Sequence, residues 1–171
     1  MLNQEISEAT SDEEYCQFLT FYMDNEEYGI DILSVQEIRG WEAATAIPNA
    51  PGYVKGVLNL RGTVVPIVDL RLRFGMNQAE YSALTVVIVV NVHAENGVKV
   101  MGIVVDAVSD VHSFALSDIQ SSPELADNRN TSFVTGLGNI NDKMVILLDI
   151  NAMLTAQDDA DFSSLRSRSD D

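Results

Sequence analysis

Residues 53–70 read YVKGVLNLRGTVVPIVDL, and residues 133–150 read FVTGLGNINDKMVILLDI. The two stretches align without a gap at an offset of 80 residues. Val54/Val134, Gly56/Gly136, Asn59/Asn139, Val65/Val145 and Asp69/Asp149 are identical, five positions of eighteen, where average residue usage gives about one. Further out, residues 28–38 (YGIDILSVQEI) pair with residues 101–111 (MGIVVDAVSDV) at an offset of 73. Gly29/Gly102, Ile30/Ile103 and Val35/Val108 are identical there, and Glu37 stands opposite Asp110. The blocks run in the same order, with seven extra residues between Val111 and Phe133 in the second half. Self-similarity at a fixed spacing marks a duplicated structural unit. The copies span about 14–77 and 80–155, flanked by acidic segments at 1–14 and 156–171 that read as solvated, flexible tails.

The elements inside each copy are strands. Phe18 to Met23 is aromatic and β-rich, and Asp24 to Glu27 reads as a turn into Tyr28 to Ile32, which together predict a hairpin. Val64–Leu70, Thr85–Val92, Val100–Val105 and Met144–Ile150 are nearly all apolar, as expected of strands covered on both faces. Helical signals are brief: Pro51 to Val54 reads as one turn with Gly56 as its left-handed exit, Ser117 to Ile119 as another, and Asp149 to Thr155 as a short terminal helix. The pattern predicts an all-β chain of two five-stranded barrels, each too small to be secure alone and therefore packed on a shared apolar interface. Strands can be exchanged between the two barrels.

Composition bounds the function. The chain has 171 residues, is 46% hydrophobic, and carries a formal charge of −16. The two tails hold −5 and −3 of that charge. Nucleic acids and anionic membranes need clustered cations, so neither is an expected partner. The longest apolar run, Val86 to Val90, is far short of the roughly 20 residues that span a bilayer. The first residues, MLNQE, lack the basic and apolar segments of a secretory signal, so a cytoplasmic location is expected. One cysteine, Cys16, excludes an internal disulfide and a multi-cysteine zinc site, and reads as a core or half-buried thiol.

No poised catalytic set is visible. The two histidines are His93, beside a polar hairpin tip, and His112; Ser109, Asp110 and His112 share triad residue types only by adjacency, whereas a triad is a spatial arrangement. No GxSxG, HExxH or phosphate-loop pattern occurs. Catalytic, cofactor and metal sites are therefore expected to be absent.

The duplication separates fold from function. Features present in both copies serve the common fold: Gly56 and Gly136 as backbone positions, Asp69 and Asp149 as turn or cap acceptors. Arg61 has Asn141 as its counterpart, and lies in the turn Asn59-Leu60-Arg61-Gly62, where a guanidinium can be presented to a partner. Pro66, opposite Ile146, predicts an edge position or a bulge. Glu37 matches Asp110, so its position serves either the fold or a partner.

Residues 27–40 (EYGIDILSVQEIRG), 53–62 (YVKGVLNLRG), 64–71 (VVPIVDLR), 102–106 (GIVVD) and 134–138 (VTGLG) together resemble the CheW family of chemotaxis coupling proteins. The resemblance runs in order from about Tyr15 to Leu154 and leaves the tails outside. It implies two SH3-like barrels and a non-enzymatic adaptor that couples the cytoplasmic tip of methyl-accepting chemoreceptors to the regulatory domain of the histidine kinase CheA, at arrays on the inner face of the membrane. Matched by position, Ile32 and Glu37 are implied kinase contacts. Val35, Gly56, Arg61, Val86, Gly102 and Val108 are the implied receptor groove. The polar tip from His93 to Lys99 departs from the family pattern. With no kinase or receiver domain beside the module, a free-standing coupler is favoured over a CheW-like regulatory module of another two-component system.

Overall fold

The computed structural model describes residues 14–77, 80–120 and 133–155. β1 (Tyr15–Met23) and β2 (Glu26–Asp31) form the expected hairpin. Its turn residues Asp24 and Asn25 take φ of 53° and 67°, the left-handed pair that short polar side chains tolerate. A 3-10 turn, Ile32–Ser34, leads into β3 (Val35–Gly40). Then follow β4 (Val54–Leu60), β5 (Thr63–Asp69) and a one-turn helix α1 (Leu70–Arg73). The second copy repeats the series: β6 (Val86–Ala94), β7 (Gly97–Val105), β8 (Ala107–Ala115), a 3-10 turn Leu116–Asp118, β9 (Val134–Ile140), β10 (Lys143–Leu148) and α2 (Ile150–Thr155).

The strands form two five-stranded sheets, ordered β8-β1-β2-β10-β9 and β3-β6-β7-β5-β4. Replacing every strand by its counterpart in the other copy converts one order into the other. Each sheet thus takes its leading hairpin from one copy and its other three strands from the other, so the exchange is reciprocal. Two parallel ladders seal it: Glu27–Ile30 on Val145–Leu148, and Ile67–Asp69 on Gly102–Val104.

In each sheet one isolated bridge ties the segment that follows one outer strand, β3 or β8, to the other outer strand, β4 or β9. Thr45 and Val57 exchange backbone hydrogen bonds of 3.0 and 2.9 Å, and Gln120 and Leu137 exchange bonds of 2.9 and 2.8 Å. These bridges explain the shared glycines. A Cβ on Gly56 would stand 2.1 Å from the Thr45 carbonyl oxygen, and one on Gly136 would stand 2.8 Å from that of Gln120. Gly56 is therefore not the exit of a helix. It sits inside β4 at a register shift, with φ 137°, because a neighbouring backbone occupies the space of a side chain.

Three apolar clusters follow from strand alternation. On β6, Val87 and Val89 face the interior of the second sheet's barrel, with Leu58, Val65 and Ile67. Ile88, Val90 and Val92 face the other way, onto Leu19, Phe21, Met23 and Ile30 of the first sheet. Both faces are buried, which is why β6 is written without a polar break. Phe18, Phe114, Val145 and Leu147 fill the first barrel. Asp69 and Asp149 cap the helices: Asp69 Oδ1 accepts from the Arg71 and Leu72 amides, Asp149 Oδ1 from the Ala152 amide. Pro66 is not on an edge strand, since β5 lies between β4 and β7. The parallel ladder to β7 begins one residue later, at Ile67, so the missing N–H of Pro66 breaks no ladder bond to β7.

Candidate functional site

Glu37 and Arg61 come from different strands and meet. Arg61 leads the two-residue turn between β4 and β5, with φ 53°, followed by Gly62 at 87°. The Asn59 side chain fixes this turn by accepting from the Gly62 amide at 2.9 Å. In the matching turn of the second copy the left-handed residues are Asn141 and Asp142, at 50° and 66°. Asparagine and aspartate accept that region readily; an arginine there costs about 1 kcal/mol or more. The cost places a guanidinium across the barrel opening, where Arg61 Nη2 donates to Glu37 Oε1.

Glu37 lies on β3, paired with Val89 just past a register shift. Its other oxygen accepts from Arg39 Nη1 at 3.2 Å, and Arg39 approaches Glu42 at 3.8 Å. The Arg61 hydrogen bond, ahead of the smaller Arg39 contribution, holds the Glu37 carboxyl below its ordinary value. Arg61 keeps 67% of its side chain exposed. The rim therefore carries a carboxylate shared between two guanidiniums, one of them largely in water.

The remaining sequence-derived residues take two kinds of place. Ile32, Val35, Val86 and Val108 are partly buried and pack against the core shared by the two sheets, so they flank the seam between barrels. Val35 pairs with Val90 on the second sheet, and its counterpart Val108 pairs with Phe21 on the first. Gly56 and Gly102 are buried. A Cβ on Gly102 would stand 2.7 Å from Ile67 Cδ1 and 2.8 Å from Val87 Cγ1, so this glycine shapes the barrel interior. Glu37 and Arg61, allotted to different partners by the sequence reading, are thus one ion pair, while the two glycines lie inside.

Two apolar side chains beside these residues went unremarked in the sequence. Leu33 is 86% exposed and Ile38 46% exposed. Ile38 alternates with Glu37 and Arg39, and that alternation was the available signal. Leu33 projects from the 3-10 turn capped by Asp31, whose side chain accepts from the Leu33 amide at 2.9 Å, and no sequence periodicity reports on such a turn. Among the described residues no group of three His, Cys, Asp or Glu side chains is placed to hold a metal ion. No helix among them is long and apolar enough to cross a membrane.

Residues 17–158 match the family described as CheW-like domain. The chain is 49% identical over 142 residues to "Chemotaxis protein CheW" of Klebsiella aerogenes, covering 83% of each chain. It is 28% identical over 129 residues to "Chemotaxis protein CheV3" of Helicobacter pylori, covering 74% of this chain and 40% of that protein. The crystal structure of the scaffolding protein TtCheW from Thermoanaerobacter tengcongensis superposes with a TM-score of 0.75 at 29% identity, covering 84% of this chain and 95% of the other.

Proposed function

Because the chain belongs to the CheW-like domain family, a family of scaffolds rather than enzymes, we propose that it is a cytoplasmic chemotaxis adaptor that couples chemoreceptors to the histidine kinase CheA. The observation that carries this reading is the Glu37–Arg61 pair beside a valine-lined seam. A kinase domain that takes Glu37 leaves Arg61 without its acceptor, and a receptor that takes Arg61 leaves Glu37 with Arg39 alone. One exposed contact thereby links two docking events without any reacting group. Ile32 and Glu37 form the kinase side of this reading. Val35, Val86, Val108 and Arg61 form the receptor side, with Gly56 and Gly102 supporting it from beneath. The seam suits a helical hairpin, whose apolar ridge fits a shallow groove of valines. Recruitment to receptor arrays at the membrane follows from the receptor contact.

The test is a titration of the labelled protein, first with the kinase regulatory domain and then with a receptor-tip fragment, followed by amide resonances. The reading expects the kinase domain to shift signals around Ile32 and Glu37, and the receptor fragment to shift those around Val35, Arg61 and Val108. Shifts confined to one face for both partners contradict it. The similarity to part of a longer CheV3 chain supports a second reading, a CheW-like regulatory module of the kind built into longer proteins, in which the kinase titration succeeds and the receptor titration gives nothing.

A further inference from the structure

A groove of about 530 Å³ opens at the end of the first sheet, lined by Phe18, Leu33, Leu116, Ile119, Thr135 and Asp149 among others. Its counterpart on the second sheet is filled. Tyr81, from the connector between α1 and β6, packs there with its ring 4.4 Å from that of Trp41. The Tyr81 hydroxyl donates to Asp69 Oδ2, and Lys55 Nζ lies 5.8 Å from the ring centroid. Burial, followed by the Asp69 contact, raises the Tyr81 hydroxyl above its ordinary value. Asp69 and Lys55 correspond to Asp149 and Thr135 of the groove. Ala44, which packs on the same cluster as Tyr81, precedes its closing bridge as Ile119 precedes the other. The far ends correspond too: Arg71 is 3.8 Å from Asp24 in the filled slot, and its counterpart Asn151 accepts from the His93 amide at 2.8 Å in the groove.

The sequence beyond α2 repeats the connector that supplies Tyr81. Residues 79–84 read AEYSAL and residues 160–165 read ADFSSL. Ala79/Ala160, Ser82/Ser163 and Leu84/Leu165 are identical, Glu80 faces Asp161, and Tyr81 faces Phe162. Phe162 is the one aromatic residue outside the described stretches. Tyr81 stands eleven positions after the first residue of α1, and Phe162 twelve after that of α2. Arg166 and Arg168 follow Phe162, and the groove offers the carboxylates of Asp31 and Asp149.

We propose that residues 160–165 are the second-copy counterpart of the Tyr81 connector, and that Phe162 docks into this groove of its own chain. The ring fills the space between Leu116, Ile119 and Phe18. Asp149, meeting no hydroxyl from phenylalanine, keeps its role as the α2 cap. The Ile32–Ser34 turn forms part of the rim, so a docked segment also screens the neighbourhood of Ile32. That consequence rests on the kinase reading, whereas the docking itself is read in the isolated chain.

Methyl resonances of the full chain and its Phe162→Ala variant test the docking. The expected result is a set of shifts at Leu33, Leu116 and Ile119 that leaves the shared core around Phe21, Ile88 and Ile103 unchanged, with Phe162→Tyr preserving the parent positions. Unchanged groove methyls in Phe162→Ala overturn the proposal, as do shifts that scale with protein concentration, which assign the occupant to a second copy. In the unsubstituted chain, cross-relaxation between the Phe162 ring and the Leu33 and Ile119 methyls is expected; its absence overturns the proposal even where the variant unfolds.

Discussion

Arg61 occupies a left-handed turn position that its counterpart gives to asparagine, and its side chain spends that freedom on Glu37. Arg61→Glu sets two carboxylates facing each other on the rim. Expected are a loss of receptor coupling of tenfold or more, the scale of a broken charge-assisted contact worth about 1.5–3 kcal/mol, and a retained β spectrum. Unfolding of this variant assigns Arg61 to the fold instead. The pair also sets a pH response. Glu37 ionises below its ordinary value of about 4.5 in the folded chain. Its contribution to stability is therefore complete above that value and lost as pH falls through the lower folded one. Melting curves of the parent and Glu37→Gln should differ at pH 7 and converge as the pH falls through that lowered value. Leu33, mostly in water, touches little of the core; Leu33→Asp should leave the melting temperature within a few degrees and weaken capture of the kinase regulatory domain. The unmatched Arg61 could be found in the sequence by comparing the copies. That its partner is Glu37 could not, because the two are 24 residues apart and meet only across a closed barrel.

At the scale of elements, the closing bridges are the parts least tolerant of change. Gly56→Ala places a methyl on the Thr45 carbonyl and forces a left-handed φ on alanine, so it should destabilise by about 3 kcal/mol or more. Gly136 lacks the left-handed φ, and one of its near neighbours is an Ile119 methyl that can move; Gly136→Ala should cost about 1–3 kcal/mol. Denaturant titration of the two variants checks the order. The continuous apolar strands were readable directly: β5, β6, β7 and β10 follow from their β-branched runs. β3, β4, β8 and β9 carry Glu, Asn, Asp or Gly at positions where pattern reading expects apolar alternation, and they were not assigned individually. β3 and β8 are held by ladders to β6 and β1, distant in sequence, and Gly56 passed for a helix exit because no local pattern reports that the Thr45 backbone occupies the space beside it.

For the whole molecule, duplication was legible and predicted two units on a common interface; the reciprocity of the exchange was not. Offsets between copies carry no information on which hairpin enters which sheet, since the exchanged and unexchanged arrangements share every local pattern. The exchange has an energetic consequence. Leu19, Phe21, Ile88, Val90 and Ile103 pack in one cluster fed by both copies, so neither barrel can unfold without opening the other's core. Ile103→Ala should cost about 2–5 kcal/mol and lower a single transition rather than split it. The rigid pair of barrels is what holds the seam valines and the Glu37–Arg61 rim in fixed relation. The central claim, that this frame bridges receptor and kinase through separate residues, is tested most directly by co-sedimentation with receptor-bearing membranes. The parent should carry kinase into the pellet; Arg61→Glu should fail to pellet while still binding the kinase domain in solution; Glu37→Arg should pellet with the membranes and leave the kinase behind. Kinase that pellets equally with all three, or with none, contradicts the account.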